Sequence, residues 1–442
     1  MGSPRVIAGA PGAAVIGGGF IGPVHVEALR RIGVEVVGLL GSSPDRATDV
    51  ARRLGIARVY GNLGELLDDE RVGVVHIASP NAYHFEQARR VLESGRHVIC
   101  EKPLATSREE TAALWALAKS RPGQAAAVNY NIRYYPLCHE IRDRIRGGAI
   151  GNLIHVNGSY VQDWLLQRED YNWRVEPDGR TNLRAVADIG THWMDLAQFV
   201  TGMPIVTVFA DLWRIHGVRY KPLGVSDTFR AASPVEGHSA SQLVRVETED
   251  YAAVLFQFPP GTRGSFHVSQ VTAGRKNRLT IEVAGTKGAL SWDSEAPNQL
   301  WIGSRGVNQV LERDPALLGP AASAISHYPG GHAEGFPDTF KQLFLDVYGW
   351  IVEGSKAGRK PTFPTFVDGD WEAGLCEAIA RSAADGRWVS MAEEFLYAPV
   401  RRFHGEISNR GYPRLLASPG SPSDASVARS VSEDSEPVKD EG

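Results

Sequence analysis

Ala13-Ala14-Val15-Ile16-Gly17-Gly18-Gly19-Phe20-Ile21-Gly22 is the stretch on which the fold turns. Four apolar residues run straight into glycines, and a helical pattern follows from Pro23 to Arg31. A short apolar run bounded by a glycine turn reads as a buried strand, and a strand feeding a helix is half of a βαβ unit. Gly17, Gly19 and Gly22 form G-x-G-x-x-G. The first glycine permits a tight turn, the second lets backbone approach a pyrophosphate, and the third lets helix and strand pack closely. The helix start then offers free N–H groups and a positive dipole end to phosphates. The pattern alone is weak and also fits a glycine turn with no ligand. The strand before it and the helix after it make it a dinucleotide fingerprint.

Outward from this loop the alternation continues. Gly33 ends the helix, and Val34 to Leu40 read as strand two. Val74 to Ala78 read as another buried strand, with a turn at Pro80 and Asn81. The next helix carries Ala82, Phe85, Ala88, Val91 and Leu92 on one face and closes at Gly95. His97 to Cys100 is the following strand, ending in Glu101-Lys102-Pro103. Strands alternating with helices predict an α/β Rossmann domain over residues 1–130. Beyond it, Leu153–Tyr160, Tyr251–Phe258, Arg263–Gln270 and Leu279–Ala284 read as strands, and helical patterns lie near 136–147, 187–201, 335–353 and 368–384. Residues 131–407 are expected to be an α/β substrate-binding and oligomerisation domain with a large, mostly antiparallel open sheet. From Ser408 to Gly442 the chain is rich in Ser, Pro, Asp and Glu, and this acidic tail is expected to be disordered.

The bulk composition narrows the function. A chain of 442 residues with 43% hydrophobic and 22% charged residues has the material for two or three domains with real cores. A net charge of -4 lacks the basic excess of a nucleic-acid binder. Cys100, Cys138 and Cys376 are odd in number and far apart, which indicates neither a disulfide framework nor a thiolate metal site and fits a reduced, cytoplasmic setting. The apolar start, Val6 to Ile16, is broken by Gly9, Pro11 and Gly12 and reads as a first strand rather than a secretory signal. No run approaches the roughly 18 apolar residues that span a bilayer.

Two segments carry chemistry. Lys102 stands just past the end of a buried strand, where ligands bind in open parallel sheets. A lysine there can polarise a bound hydroxyl or carbonyl, although a surface lysine is the ordinary reading of such a residue. In Asp188-Ile189-Gly190-Thr191-His192-Trp193-Met194-Asp195, a helix places Asp188 and His192 one turn apart on one face, with Asp195 on the same side. Ile189, Trp193, Leu196 and Val200 make the opposing apolar stripe. A histidine there can take the proton of a hydroxyl as hydride leaves, with a carboxylate one turn away to orient it. A solvated helix face competes with this reading. No further His or Cys cluster supports a metal. Strand two ends Leu39-Leu40-Gly41-Ser42-Ser43-Pro44-Asp45-Arg46, with Gly41 near the place of the acid that holds the NAD ribose. Ser42, Ser43 and Arg46 can hold a 2′-phosphate, which leans to NADP with NAD left open; they also fit a plain turn and helix cap.

Lys102 and the Asp188/His192 helix behind a glycine loop resemble the glucose-fructose oxidoreductase / inositol dehydrogenase / MocA (Gfo/Idh/MocA) family over most of residues 13–400. The marks are Gly17-Gly18-Gly19-Phe20-Ile21-Gly22, Ser79-Pro80-Asn81 with His84, Glu101-Lys102-Pro103, and Asp188-x-Gly190-x-His192-x-x-Asp195. The resemblance implies a Rossmann domain plus an open-sheet domain that often makes dimer or tetramer contacts. It places the loop residues Gly17, Gly19, Phe20, Ile21 and Gly22, and also Ser79 and His84, at the cofactor. Lys102 is implied beside the nicotinamide and reacting oxygen, His192 as acid/base, and Asp188 as its partner or a substrate ligand. Asn81 and Glu101 are implied near the nicotinamide ribose, and Trp173 and Arg174 near the cofactor. Thr181 to Val186 depart from the glycine-rich stretch of many members.

Trp164, Tyr160 and Trp173 offer aromatic faces for a sugar ring, with core packing as the competing reading for the tryptophans. Arg133, Asp163, Asn172, Arg174 and Asp195 can meet hydroxyls. Gly330 to Gly335 open a helix and either complete the pocket or cap that helix. The expectation is an NAD(P)-dependent enzyme of carbohydrate metabolism, moving a hydride between nicotinamide and a CH–OH group of a sugar, glycoside or cyclitol. Lys102, Asp188 and His192 are its catalytic set. It is expected to be a homodimer or homotetramer with no nucleic acid or membrane partner. A glycosidase using bound NAD for transient oxidation predicts glycoside cleavage without net cofactor turnover. A dinucleotide-sensing regulator predicts binding without oxidation.

Overall fold

A computed structural model describes residues 6–176, 183–222, 241–354 and 358–391. The predicted tail 408–442 lies outside the described residues, as do Thr181 and Asn182. β1 (Gly12–Ile16), β2 (Val36–Leu40), β3 (Arg58–Tyr60), β4 (Val72–Ile77), β5 (His97–Cys100) and β6 (Ala126–Val128) form one parallel sheet in the order β3-β2-β1-β4-β5-β6. The central strands are mostly apolar because both faces are covered. Ala13, Val15, Val74 and Ile99 pack on one side, and Ala14, Ile16, Val75, Ile77 and Val98 on the other. The order reverses between β1 and β4, and the crevice at their carboxyl ends is where such sheets take ligands.

The chain returns to this sheet late. Phe340, Leu343, Phe344 and Val347 of helix Phe336–Gly349 share a core with Val26 and Leu29 of helix Ile21–Arg31. The first packing unit therefore draws on residues far beyond 130. Gly335 caps helix Phe336–Gly349, its N–H donating to Asp338 at 2.9 Å, and Glu334 is buried against Arg313 at 3.1 Å. The glycine-rich segment 330–335 thus acts as a cap.

The second sheet is built from β7 (Leu153–Val161), β8 (Thr207–Trp213), β11 (Tyr251–Phe258), β12 (Thr262–Ser269), β13 (Arg278–Gly285), β14 (Ala289–Asp293), β15 (Gln299–Gly303), β16 (Gln309–Glu312) and β17 (Val389–Ser390), while β9 (Val218–Pro222) and β10 (Ser241–Arg245) pair separately. Its order is β16-β15-β14-β13-β7-β12-β11-β8-β17, and only the β7–β12 pair is parallel. One face carries Val156, Ala252, Val254, Phe256, Phe266 and Ile281 into a core shared with helix Thr191–Thr201. Trp193 stacks on Phe266 with centroids 4.6 Å apart, and its indole N–H donates to the Thr280 carbonyl at 2.9 Å. A Cβ at position 158 would lie 2.1 Å from that same carbonyl oxygen, so β7 needs Gly158 there. The opposite face leaves Leu255 and Trp213 exposed.

Two helices differ from the predicted spans. The run 187–201 begins with a π-helical turn, Val186–Gly190, before the α-helix Thr191–Thr201. The run 335–353 is α-helical to Gly349 and ends in a π turn, Trp350–Gly354.

Candidate active site

The glycine loop has the shape its sequence predicts. Gly17 has φ +108°, and a Cβ there would fall 2.3 Å from the Ala78 carbonyl oxygen of the neighbouring loop. A Cβ at Gly22 would lie 2.0 Å from the Gly17 oxygen, whereas Gly19 has open space within 4 Å. So Gly17 and Gly22 are required by close approach, and Gly19 leaves bare backbone facing outward. Helix Ile21–Arg31 has no acidic residue in its first turn, and Phe20 before it is half-exposed. Backbone N–H groups, a dipole end and clear space at Gly19 fit a dinucleotide pyrophosphate.

At the end of β2, a Cβ on Gly41 would lie 2.7 Å from the Cβ of Ala47, so no side chain can stand there. Ser42 and Arg46 are exposed and Ser43 precedes helix Pro44–Leu54. Asp45 is also exposed in that first turn.

Ser79 and Asn81 lie in the loop after β4. Ser79 Oγ donates to Gln87 at 2.6 Å, and Asn81 opens a short turn to Tyr83. His84 is fully buried, with Nδ1 2.8 Å from the Pro103 carbonyl and Nε2 2.9 Å from that of Ser79. It ties the Ser79 loop to the Lys102 turn from beneath rather than standing at the crevice. Glu101 is likewise engaged from inside. His25 Nε2 lies 3.0 Å from Oε1, Asn129 donates to the same oxygen, and the Lys102 N–H lies 3.3 Å from Oε2. Burial pushes this carboxyl up, but His25, Lys102 and Asn129 outweigh it and hold it below the usual range. A buried charge needs such partners. His25 leads on to His76 at 3.0 Å and His76 to Tyr348 at 3.1 Å, a buried chain that the sequence does not reveal.

Lys102 crosses to the second domain. Its Nζ donates to the Asp188 carbonyl at 2.7 Å and to Asp188 Oδ1 at 3.1 Å. Gln270 Nε2 donates to Oδ2 at 2.9 Å, and Arg174 Nε lies 3.5 Å from Oδ1. Burial pushes Asp188 up, yet the Lys102 and Arg174 charges hold it far below the ordinary carboxylate range. Asp188 therefore serves Lys102. The expected Asp188–His192 hydrogen bond is absent, and His192 Nδ1 is buried with no partner. The His192 ring stands edge-on to Tyr130 at 5.8 Å and beside Tyr160 at 6.3 Å. Burial and the Lys102 charge push its pKa down to about 3. Both effects favour the neutral imidazole.

The other candidates divide. Arg133 and Asp195 go to each other, with Arg133 Nε 2.7 Å from Oδ2, and Arg133 also reaches Asp368 at 3.0 Å. Asp195 is 1% exposed, and a carboxylate so placed needs its counter-ion, which takes this pair out of the set expected to meet hydroxyls. Tyr160 forms a wall beside His192, its hydroxyl donating to Asn277 at 2.8 Å. Trp164 packs with Leu165, Val175 and Val246 while its N–H donates to Gln162 at 2.8 Å. Asn172 is buried and caps the turn Trp173–Val175 through the Arg174 N–H at 3.2 Å. Trp173 is half-exposed beneath the Arg174 guanidinium, 4.5 Å from its ring centroid. Asp163 pairs with Lys276 at 2.6 Å. Gln270, missed in the sequence, sits at a strand end with no motif to mark it. Among the described residues no three His, Cys, Asp or Glu side chains group as a metal site, and no helix is long and apolar enough to cross a membrane.

Known proteins resemble this chain in sequence and fold. Residues 12–130 match the oxidoreductase family with an NAD-binding Rossmann fold, and residues 138–291 match the GFO/IDH/MocA C-terminal domain. Levoglucosan dehydrogenase of Pseudarthrobacter phenanthrenivorans is 28% identical over 405 residues, covering 86% of this chain and 97% of that protein. Glucose-6-phosphate 3-dehydrogenase of Bacillus subtilis is 23% identical over 356 residues, covering 80% and 91%. Among solved structures, levoglucosan dehydrogenase with NADH and L-sorbose superposes with a TM-score of 0.76 at 27% identity, covering 86% of this chain and 99% of that one. An inositol dehydrogenase homolog from Azotobacter vinelandii, with NADH and myo-inositol, gives 0.73 at 26% identity, covering 87% and 99%. The chain belongs to the Gfo/Idh/MocA family of NAD-binding oxidoreductases.

Proposed function

We propose that this protein is a dehydrogenase acting on a CH–OH group of a sugar, glycoside or cyclitol, with Lys102, Asp188 and His192 as its working set. The Lys102–Asp188 pair just past the carboxyl end of β5, beside a neutral His192, carries the reading. The dinucleotide would be held by the Gly17–Gly22 loop and the start of helix Ile21–Arg31, with its nicotinamide towards Lys102. The bound nicotinamide supplies one thing, acceptance of a hydride from the carbon bearing the hydroxyl. The rest falls to side chains. Neutral His192 takes the hydroxyl proton, and the Lys102 ammonium stabilises the negative charge that grows on the oxygen. Asp188, itself locked by Gln270, keeps that ammonium aimed. Tyr160 and Tyr130 enclose the imidazole and limit water beside it.

The cofactor reading leans to NADP. Gly41 leaves no room for an acid to hold a 2′-hydroxyl, and Ser42, Ser43 and Arg46 offer donors to a 2′-phosphate. The relatives that act on levoglucosan and glucose 6-phosphate, and the neighbour holding myo-inositol, support a polyol substrate. The outward sheet face around Leu255 and Trp213 fits a second copy of the chain, and sedimentation velocity tests this, with a dimer or tetramer as the expected result and a monomer as the contrary one. The test is absorbance at 340 nm with NAD⁺ or NADP⁺ and a panel of anhydrosugars, glycosides, sugar phosphates and inositols. Substrate-dependent growth with at least one pair is expected, and larger kcat/KM with NADP⁺. Glycoside cleavage without net reduction of cofactor would instead establish transient redox chemistry.

A further inference from the structure

The turn that presents Asp188 starts at a place the family resemblance does not explain, where Leu183-Arg184-Ala185-Val186 stand in place of a glycine-rich stretch. N–H groups at a helix start lack partners within the helix. Here they are taken by a distant carboxylate. Val186 N–H donates to Glu249 Oε1 at 2.8 Å, and Arg184 N–H lies 2.8 Å from Oε2 and 3.0 Å from Oε1. The Arg184 carbonyl in turn accepts from the Asp188 N–H at 2.8 Å. The residue gripped by Glu249 is thus the one from which Asp188 hangs. Next along the chain, the Asp250 carbonyl accepts from the Gln270 N–H at 3.1 Å, so the same segment also anchors the side chain that locks Asp188 Oδ2.

Glu249 is 3% exposed. The Arg184 guanidinium is directed past its carboxylate, to the Glu249 carbonyl at 3.0 Å and to Asp250. Arg219 of β9 completes Asp250 at 2.9 Å, and the Cys376 thiol on helix Phe366–Asp385 lies within electrostatic reach of Glu249. The Glu249 side chain therefore meets mostly backbone N–H groups in a dry setting.

We propose that Glu249 is a positioning residue for Asp188: as a carboxylate it fixes the start of the 186–190 turn and holds Asp188 against Lys102, and on taking up a proton it loosens that hold. This rests on the reading that Lys102 and Asp188 work on the substrate. Burial pushes the Glu249 carboxyl up to about 7, against the pull of the Val186 and Arg184 N–H groups and the Arg184 charge. His192, at about 3, and Asp188, far below the usual range, do not change charge there.

The test is hydrogen–deuterium exchange of the full chain loaded with NADH, at pH 8 and pH 6, followed in peptides spanning 183–190 and corrected for the chemical exchange rate. A group near 7 is ionised to only about one part in ten at pH 6, so wild-type exchange should rise severalfold on acidification. Glu249→Gln should exchange fast at both pH values while peptides of β1 and β4 stay as in wild type. Glu249→Asp, which keeps the charge on a shorter arm, should restore part of the pH dependence and serves if the glutamine variant folds poorly. Turnover on a substrate from the 340 nm panel should show the same pattern, with kcat falling from pH 8 to 6 in wild type and low and flat in Glu249→Gln. Wild-type protection in Glu249→Gln at both pH values overturns the proposal. Asp188→Asn, run alongside, separates the two readings. Undiminished turnover in that variant refutes the catalytic role of Asp188, whereas its loss beside an unaffected Glu249→Gln refutes positioning alone.

Discussion

His192 shows how one side chain is prepared by its neighbours. Its Nδ1 is buried and unpaired, its ring is walled by Tyr130 and Tyr160, and burial together with the nearby Lys102 charge favours the neutral ring. His192→Ala should lower kcat by about 10²–10⁴ while the Kd for NADH, read by fluorescence, changes little. Equal loss of turnover and cofactor affinity would sink that assignment. Arg133 and Asp195 sit close by but do different work. Asp195 is sealed from water, and Arg133 bonds both it and Asp368, holding two acidic groups together. Arg133→Met should cost roughly 3–5 kcal/mol in urea unfolding, because it strands a buried carboxylate. A loss within experimental scatter would show that the pair is not structural.

At the scale of elements, close approach decides what is tolerated. Gly22→Ala sets a methyl against the Gly17 carbonyl and must displace the loop. NADH binding should weaken by tenfold or more, a shift of about 1.4 kcal/mol, and unchanged calorimetric affinity would show that the loop does not hold the cofactor. This element was legible in the sequence because its signal is local: an apolar strand, glycines at fixed spacing and a helix lie within residues 13–31. Lys102 was legible for the same reason, standing at the end of an apolar run. What was not legible joins residues far apart in the chain. Lys102–Asp188 spans 86 positions, Glu101–His25 spans 76, and Arg133–Asp195 spans 62. Side-chain type alone does not say which distant partner a buried charge will find. The Asp188/His192 spacing misled for a further reason. The helix pattern assumes 3.6 residues per turn, but Val186–Gly190 is a wider π turn, of a kind frequent at functional sites, and Asp188 turns from His192 to Lys102.

For the whole molecule, the buried histidines set an acid limit. His192 and His139 are held to about 3, mainly by burial, and His76 and His84 are also lowered by burial. The unfolded chain binds protons at these sites below about pH 6.5, where the folded chain resists them. Their contribution to stability is present above that pH and is lost as pH falls towards 3. The urea midpoint should therefore fall steadily over that range, and a midpoint that holds level or rises would contradict the burial of these rings as neutral groups. Lys102, past the end of the parallel sheet, reaches Asp188 beside the second sheet's core helix, so the fold and the chemistry share this joint. Lys102→Met tests that joint most directly, with kcat on the substrate found at 340 nm compared against the Kd for NADH. Turnover is expected to fall by at least ~10²–10³ with cofactor affinity within a few-fold of wild type, as for loss of a group that stabilises growing negative charge. Near-wild-type turnover in this variant would contradict the assignment of Lys102 to the reacting oxygen.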